Sequence, residues 1–540
     1  MISACRLFFF GLTPLLLLAA CGPSDTRVEE GNRTGILHVG NGAEPSNLDP
    51  QTITGLPEAK IVSTLFDGLV ELHPETNEPV PAAAASWEIS EDGLVYRFTL
   101  QPEGRWSNGD PVTAQDFVTS YRRKLSPRLG SRYAYMLYPL EGAEAFHRGE
   151  TDDFTTVGVT ALADDQLELR LHTPAAFLLD LLTHSSWFPV HADTLEAFGD
   201  LDEPNTRWTR AGNLVGNGPF RLVSWRPERF VQVEKNEHHW RSGEISLQGI
   251  YFYPISDPTT EEREFRTGRL HITNTIPPDR VAVYRDRNDP EFHSQPSFST
   301  YYYRFNTTRP PLDNPKVRRA LKLAIDREAI TKEVVRGGQQ PAYSYVPQGD
   351  FTDYRPGPFF QYDPDEARRL LAEAGFPEGE GFPTKEILYN TMETHRLVAE
   401  AIQDMWSEEL GISVNLTNQE WQVYLETQNR LQYDISRSGW IGDYLDPNTF
   451  LDLMLTDGGN NRTGWANEEY DELITQANRE MNTARRNELF AEAEALLLQE
   501  APVAPIYFDR TNYLMSVSVQ DYYTTPTGYR PYWRVNLVSE

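Results

Sequence analysis

The sequence predicts a mixed α/β protein, with α+β character, that contains more than one domain. Its 540 residues are enough for two or three domains of ordinary size. Short segments that alternate apolar and polar residues, typical of half-buried strands, are interspersed with amphipathic segments of helical spacing along the whole chain. We find no repeat at a fixed period and no low-complexity tract, so neither a solenoid nor a fibrous protein is indicated.

The N-terminus has the pattern of a secretory signal peptide over residues 1–20. An apolar run from Leu7 to Ala20 is too short to span a bilayer. The run ends in LAAC, Leu18 to Cys21, which resembles the lipobox of bacterial lipoproteins. There the cysteine is acylated and becomes the new N-terminus, so Cys21 is expected to hold the protein on a membrane surface, with residues 21–35 as a flexible tether. Plain cleavage after an A-x-A-like site is the alternative.

Strands are predicted where apolar residues alternate. YRFTL at Tyr96–Leu100, LELRL at Leu167–Leu171 and ISVNL at Ile412–Leu416 have this pattern. The glycines of GNGPF, Gly216–Phe220, resemble a phosphate-binding loop, but no lysine and no helical pattern follow. A tight turn before the strand FRLVSW fits this segment better.

Helices are predicted where a capping residue precedes an apolar face. Asn314 and Pro315 provide an N-cap and a first helical position ahead of Val317, Ala320, Leu321 and Ala324. Asp363 and Pro364 repeat this arrangement, and that helix is expected to stop at Gly375. A third helix, TARRNELFAEAEALLLQEAP, is expected to end before Pro502.

Composition excludes several classes of function. The formal net charge of −30 repels phosphate backbones and anionic lipid, so nucleic-acid binding is not expected. Cys5 and Cys21 are the two cysteines, and neither would remain as a free thiol in a processed domain, which excludes cysteine catalysis and cysteine-ligated metal. Aromatic residues make up 12% of the chain and fill either cores or a wide cleft.

Motifs for nucleotide hydrolysis and for common hydrolases are absent from the sequence. It contains no G-x-x-x-x-G-K-[ST], no H-E-x-x-H and no G-x-S-x-G. His238 and His239 are neighbours that cannot face the same side of a strand, so we interpret them as surface residues beside Trp240. We therefore expect a protein that is not an enzyme and that needs no cofactor or metal, although a catalytic carboxylate pair stays open.

Six segments occur in an order that strongly resembles the periplasmic oligopeptide-binding proteins of ABC importers. That group belongs to the extracellular solute-binding proteins, which also include dipeptide, murein-peptide and nickel binders. The segments are SNLDPQTITGLPEAKIVSTLFDGLV (46–70), RWSNGDPVTAQDFVTSYRR (105–123), GNGPFRLVSW (216–225), YYYRFNTTRPPLDNPKVRRALKLAIDRE (301–328), LYNTMETHRLVAEAIQDMW (388–406) and GWIGDYLDPNTFL (439–451).

The resemblance implies a two-lobed periplasmic-binding-protein fold with an extra inserted domain and a hinge of two crossing strands. Lobe I would comprise 33–70, 190–298 and 509–540, the inserted domain II 71–189, and lobe II, the third domain, 299–508. The crossing strands would be Ser299–Asn306 and Ala504–Leu514. The two lobes would close on a ligand between them.

The resemblance also implies a peptide-binding site. Asp443 falls on the carboxylate that holds the α-ammonium of the peptide, and Gly439, Trp440 and Ile441 would offer backbone partners beside it. The other matched positions are Thr54, Gly55 and Leu56 for the peptide backbone on the first lobe, Asn274 as a backbone-binding asparagine, Tyr133 as a pocket tyrosine, Arg437 and His395 as basic residues for the peptide C-terminus or acidic side chains, and Tyr507 as a cleft aromatic.

Three expected ligand-facing positions depart from the family pattern. Arg304 replaces an acidic residue, Thr54 stands where some members have glutamate, and Gln428 falls where others use arginine for the C-terminus of shorter peptides. These changes leave the preferred peptide length and side-chain charge open.

Several assigned roles have structural alternatives. Asp443 could cap a turn or pair with Arg437, Trp440 could be a core residue, and His395 could cap the helix that follows. Tyr133 and Tyr507 could serve packing alone.

The sequence thus predicts a lipid-anchored, monomeric receptor in the periplasm or cell envelope. It would capture short peptides and deliver them to an ABC permease with its ATPase subunits. The alternatives are a receptor for murein or other modified peptides on the same fold, a hydrolase, and an adhesin or chaperone-like protein.

Overall fold

The structure is a computed structural model that describes residues 25–175, 177–349, 351–355 and 357–539. The predicted signal peptide and Cys21 lie outside these residues. Within the described ranges, no helix has both the length and the apolar character needed to cross a membrane.

The strands form three larger sheets, with orders β1–β10–β9–β8, β4–β5–β7–β6 and β12–β16–β11–β15–β13–β14, and two pairs, β2–β3 and β17–β18. The strands are β1 (Ile36–Gly40), β2 (Val70–Leu72), β3 (Pro79–Pro81), β4 (Ala84–Ile89), β5 (Val95–Leu100), β6 (Val159–Ala163), β7 (Gln166–Arg170), β8 (Phe220–Arg226), β9 (Phe230–Lys235), β10 (Gly249–Tyr253), β11 (Phe292–Phe305), β12 (Gln340–Pro341), β13 (Lys385–Asn390), β14 (Val414–Gln419), β15 (Ile435–Ile441), β16 (Val503–Leu514), β17 (Val519–Gln520) and β18 (Asn536–Leu537).

Helices cover these sheets, which makes the fold a mixed α/β one. They are α1 (Arg27–Thr34), α2 (Leu56–Leu65), α3 (Ala114–Leu125), α4 (Ala143–His147), α5 (Leu178–Leu181), α6 (Ala192–Glu196), α7 (Pro258–Arg266), α8 (Pro278–Asp286), α9 (Pro315–Leu323), α10 (Arg327–Ala329), α11 (Pro364–Glu373), α12 (Glu393–Leu410), α13 (Trp421–Asn429), α14 (Asn448–Leu451), α15 (Glu468–Arg479) and α16 (Thr483–Glu500).

The first lobe is built around the sheet β1–β10–β9–β8 and helix α2. The apolar face of α2 shares one buried core with this sheet. The predicted turn GNGPF lies against the end of α2, and a Cβ on Gly216 would stand 2.0 Å from the carbonyl oxygen of Leu65. Glycine is therefore required here by close packing of backbone on backbone.

The inserted sheet β4–β5–β7–β6 packs on α3 and shares its core with part of the second lobe. Tyr133 and Trp440 have ring centres 6.0 Å apart, and Phe177 stacks on Tyr444 at 5.6 Å. These aromatic contacts join the inserted domain to the wall of the second lobe.

The second lobe is built around the six-stranded sheet, and its helices begin as the sequence predicts. The side chain of Asn314 accepts a hydrogen bond from Lys316 N at the start of α9, and Asp363 accepts one from Glu366 N at the start of α11. Both helices have proline in the first turn, where a backbone N–H would have no hydrogen-bond partner within the helix, so the N–H that proline lacks is not missed.

Strands β11 and β16 connect the lobes and pair antiparallel along most of their length. Register shifts interrupt the ladder between Pro296 and Thr300 and between Tyr301 and Tyr302. At one end Tyr513 is buried in the core of the first lobe, and at the other Ala504 is buried in that of the second. The predicted pair of hinge strands is thus present as one shared ladder.

Three sequence predictions need correction. Residues 27–34 of the expected flexible tether form helix α1, because Thr26 and Glu29 make a reciprocal capping box. The strand expected at 412–416 begins at Val414. His239 is not a surface residue, since it is 3% exposed and its Nε2 lies 2.8 Å from Asp67 Oδ2.

Candidate ligand-binding cleft

A cleft of about 480 Å³ lies between the lobes. The first lobe contributes residues 41–44 after β1, the start of α2 and residues 527–530. The second lobe contributes parts of β11 and β15 and the start of α13, and the inserted domain contributes Tyr133 and residues 183–185. Segments far apart in sequence thus meet at one concave site.

Strand β15 presents a free edge to this cleft. On one side it pairs with β11, while on the other β13 covers only Ile435 and Ser436. Gly442 N donates to Phe298 O at 2.8 Å. From this pair onward, every second residue of β15 directs its backbone N–H and C=O groups to β11, and the residues between them direct theirs to the other side. The N–H and C=O groups of Gly439 and Ile441 therefore point to the free edge, whereas those of Trp440 face Thr300 on β11.

Asp443 lies directly after this edge, and its side chain is only 10% exposed. Its Oδ1 is 3.3 Å from Nε2 of His184 in the inserted domain, and its backbone N–H donates to Thr449 Oγ1 at 2.9 Å. Asp443 makes no ion pair with Arg437 within the described residues. One carboxylate thus faces the cleft with a histidine as its neighbour.

The glycines around Asp443 have different surroundings. A Cβ on Gly442 would stand 2.4 Å from the ring of Phe298, so the chain packs tightly there. A Cβ on Gly439 would meet no atom closer than 3.4 Å, and this residue is exposed to the cleft. The space beside Gly439 is free for another chain to approach.

Arg437 provides a positive group in the cleft wall. Its Nη1 donates to Asn390 Oδ1 at 3.1 Å, its guanidinium lies 4.7 Å from the ring centre of Tyr301, and its Nε has no partner within the described residues. His395 also lines the cleft, but burial, with Arg437 nearby, holds the pKa of its imidazole well below the usual value. This environment favours the neutral imidazole, and as the third residue of α12, after the N-cap Met392, His395 is not the cap.

The first lobe presents the N-terminus of α2 to the cleft. Thr54, Gly55 and Leu56 all line the cavity. Gly55 is the N-cap residue and has no side chain to satisfy the first turn. Because Pro57 in the first turn has no N–H, few backbone donors remain at this helix start for an incoming acceptor.

Asn274 lines the cleft within a network of buried charges. Its Oδ1 accepts a hydrogen bond from Lys60 Nζ, and its N–H donates to Glu261 Oε1 at 2.8 Å. Burial raises the pKa of Glu261 to about 7, and burial, together with Arg530, lowers the pKa of Lys60. The side-chain amide of Asn274 is held in place by this network.

Three residues expected to face a ligand do not line the cleft. Arg304 and Gln428 are 2% and 1% exposed and lie behind β15, because Arg304 sits on the face of β11 that also carries Tyr302. Tyr507 is 2% exposed and stacks on Tyr301 at 4.5 Å, so it supports the wall from behind.

Sequence reasoning missed several cleft residues. His184 and Lys60 each have a charged or polar cleft partner, and Trp421 Nε1 donates to Glu58 Oε1 across the lobes at 3.1 Å. Glu58 is fully buried and does not itself line the cavity; its sequence signal is an acid in the first turn of an apolar helix, where a buried acid is unusual. No local pattern distinguishes the other three, since their partners come from distant segments.

Direct contacts hold the lobes together. Gln422 Nε2 donates to Pro45 O at 3.2 Å, and Arg132 Nη1 in the inserted domain donates to Gly459 O at 2.9 Å. Together with the bond between Trp421 and Glu58, they show a cleft closed from two sides.

Comparison with known proteins gives consistent matches. The model of the bacterial extracellular solute-binding proteins, family 5 middle, matches residues 78–462. The oligopeptide-binding protein OppA of Bacillus subtilis is 34% identical over 535 residues, covering 95% of this chain and 95% of that protein. The structure of the murein tripeptide-binding protein MppA of Escherichia coli superimposes with a TM-score of 0.88 at 32% identity, over 94% of this chain and 99% of that one.

A structure of MppA in an unliganded open form superimposes less well. Its TM-score is 0.62 at the same 32% identity, over 95% of this chain and 99% of that one. Since the sequences match equally well, the difference reflects the relative position of the lobes. The lobes described here stand in a closed arrangement, in agreement with the contacts between them.

Proposed function

Because this chain belongs to the bacterial extracellular solute-binding proteins of family 5, we propose that it captures short peptides in its cleft and delivers them to an ABC importer. The observation that carries this proposal is the free edge of β15 followed by Asp443. An extended peptide adds to such an edge as a further strand, and its backbone pairs with Gly439 and Ile441. Asp443 then binds the α-ammonium group.

The remaining cleft residues have roles that fit this ligand. Arg437 binds carboxylates of the peptide, either at its C-terminus or on a side chain. Asn274 and the residues 54–56 bind peptide backbone from the first lobe. Tyr133 packs between His184 and Trp440, at ring distances of 4.7 Å and 6.0 Å, and forms an aromatic side of a pocket.

Ligand capture and closure are coupled in this proposal. The bond between Trp421 and Glu58 forms only when the lobes meet, and a peptide that touches both lobes favours the same state. The protein acts by binding and release without chemistry, so a bound peptide is recovered intact after long incubation. The importer recognises the closed, loaded receptor.

The cellular setting follows from the N-terminal sequence. Cys21 is acylated after removal of residues 1–20 and holds a monomeric receptor on a membrane surface in the cell envelope. Helix α1 begins at Arg27, six residues after Cys21, so residues 27–34 do not belong to a flexible tether.

The proposal is tested with purified protein from which co-purified ligand has been removed by unfolding and refolding. Titration calorimetry with peptides of two to eight residues should give heats for many sequences, and mass spectrometry of the released ligand should identify peptides. A protein that refolds but responds to no peptide in the library would refute the function.

A receptor for murein peptides is the second candidate, because MppA superimposes on this chain as well, with a TM-score of 0.88, as a solved oligopeptide-binding protein does. The two candidates differ in the linkage of the ligand. Tight binding of a γ-linked murein tripeptide together with no response to ordinary tripeptides and tetrapeptides would establish the second candidate over the first.

A further inference from the structure

A pair of buried guanidinium groups lies behind Thr54, next to the cleft. Arg304 and Arg462 are 2% and 6% exposed, and both direct an Nη1 to the same acceptor, Gln428 Oε1, at 3.4 Å and 3.3 Å. Arg462 Nη2 also donates to Thr54 Oγ1 at 3.3 Å. Two positive charges therefore share one neutral amide oxygen.

No carboxylate compensates this pair. Within the described ranges, neither guanidinium has an aspartate or glutamate oxygen in ion-pair distance, and the Nε atoms of both lack hydrogen-bond partners. Arg132 lies close enough that its charge, with that of Arg304, adds to the effect of burial in lowering the pKa of Arg462. Buried charges are normally paired, because their desolvation is costly.

Two other buried arginines have an acidic partner or shorter hydrogen bonds. Arg123 forms an ion pair with Asp49 at 2.6 Å. Within the described residues Arg327 has no acidic partner and its Nη2 lacks a hydrogen bond, but it donates to three backbone carbonyls at 2.7, 2.8 and 3.2 Å. The contacts of Arg462 are all 3.3 to 3.5 Å long and go to side-chain oxygens. Arg462 is therefore held by longer hydrogen bonds than Arg123 or Arg327, and a carboxylate would be a stronger acceptor for it.

Access to the pair runs through the contact between the lobes. Thr54 lines the cleft on the first lobe, whereas Arg462 belongs to the second, so we expect lobe opening to break their contact and to expose Arg462. The pair lies on the face of the sheet that carries Tyr302, away from Arg437. Side chains of a strand added at β15 alternate between the two faces, so this position receives a side chain of the ligand and not its main chain.

We propose that Arg304 and Arg462, with Gln428 and Thr54, form a subsite for an aspartate or glutamate side chain of the bound peptide. This inference rests on the proposed peptide-binding function and adds a preference for acidic side chains. The positive environment is also evident at Tyr302: burial favours its neutral form, but Arg304, whose Nη2 donates to its OH at 2.9 Å, outweighs that and lowers its pKa.

The first test compares tetrapeptides of alanine that carry one glutamate at position two, three or four with the same peptides carrying glutamine. In calorimetry, we expect the glutamate peptide to bind at least about tenfold more tightly at one position, since charge-assisted hydrogen bonds are the stronger ones. The preference should persist when the C-terminus is amidated. A preference that disappears on amidation would assign the carboxylate to the C-terminus and overturn the subsite.

The second test repeats the matched pairs with variants. Arg462→Gln removes one guanidinium, and Thr54→Glu places a carboxylate of the protein beside Arg462. Each variant should bring the ratio of the affinities for glutamate and glutamine peptides down to about one. Either variant alone is sufficient, so the test remains valid if one of them does not fold. Arg430→Gln is the matched control, because Arg430 is 64% exposed and pairs with Glu426 on the surface, and it should leave the ratio unchanged.

Two outcomes would refute the inference in different ways. Equal affinity of wild type for glutamate and glutamine peptides at every position, or a ratio that survives both variants, refutes the subsite but leaves peptide binding intact. Failure of wild type to bind any peptide refutes the proposed function and the subsite together.

Discussion

Asp443→Asn should weaken the binding of peptides with a free N-terminus by about 25-fold to 150-fold. The side chain of Asp443 is 10% exposed, and among the described residues it is the one carboxylate within ion-pair distance of His184. Truncating one partner of a buried, hydrogen-bonded charge pair costs about 2–5 kcal/mol. Asparagine keeps one oxygen acceptor and loses only the charge, so we expect the binding free energy to weaken by the lower part of this range, about 2–3 kcal/mol. Each 1.4 kcal/mol corresponds to about tenfold in affinity.

The assay is calorimetric titration of wild type and variant with one peptide in two forms, with free and with acetylated N-terminus. The acetylated form has no ammonium group, so its affinity should change little between the two proteins. Asp365→Asn is the matched control, since the side chain of Asp365 is 91% exposed and Asp365 does not line the cleft. An equal loss for both forms of the peptide would show that Asp443 does not bind the ammonium group.

Three further predictions address closure, acid stability and packing. Trp421→Phe removes the bond to Glu58 that exists only between closed lobes, so peptide affinity should fall about threefold to tenfold in calorimetry, and an unchanged affinity would contradict its role. Burial, with Arg27 nearby, lowers the pKa of His38 to about 4 in the folded state, whereas the ordinary value of 6.5 applies in the unfolded state. The unfolded state therefore binds a proton first, and the free energy of unfolding falls as the pH drops from about 6.5 to about 4. His38→Phe should reduce the loss of unfolding free energy between pH 7 and pH 4.5 by about 2 kcal/mol in urea titrations, and the same loss in both proteins would contradict this reasoning. Gly442→Ala should destabilise the protein by about 1–3 kcal/mol in thermal unfolding, because the added methyl meets the Phe298 ring, and a wild-type melting temperature would mean that the ring moves aside freely.

The elements that depend on local signals were predictable from the sequence. The caps at Asn314 and Asp363 and the turn before β8 depend on residues within a few positions of each other. Helix α1 was missed although its signal is equally local: Thr26 and Glu29 form a capping box, but the segment has few apolar residues to show a helical period. The two-lobed arrangement itself could be expected only by resemblance, since no local pattern encodes it.

The cleft shows a different limit. The sequence predicted Asp443, Gly439 and Arg437 as cleft residues through their register, and all three line the cavity. It assigned ligand contact to Tyr507 and Arg304 as well, but whether a strand residue points into a cleft or behind it depends on the face it occupies. For Arg304 the regular alternation of β11 decides the face, whereas for Tyr507 a register shift between β11 and β16 contributes, and such shifts have no reliable sequence signal here.

The interrupted ladder of β11 and β16 offers a place at which the two lobes can rotate against each other. We expect the strands to bend at the breaks in register near Pro296 and Tyr301, because the pairing on either side can be kept there. Rotation of the lobes about these breaks would separate Trp421 and Gln422 from the first lobe, because both residues donate hydrogen bonds across the lobes. A pair of fluorescent labels, one on each side of these contacts, would therefore report each capture event as a change in the distance between the lobes.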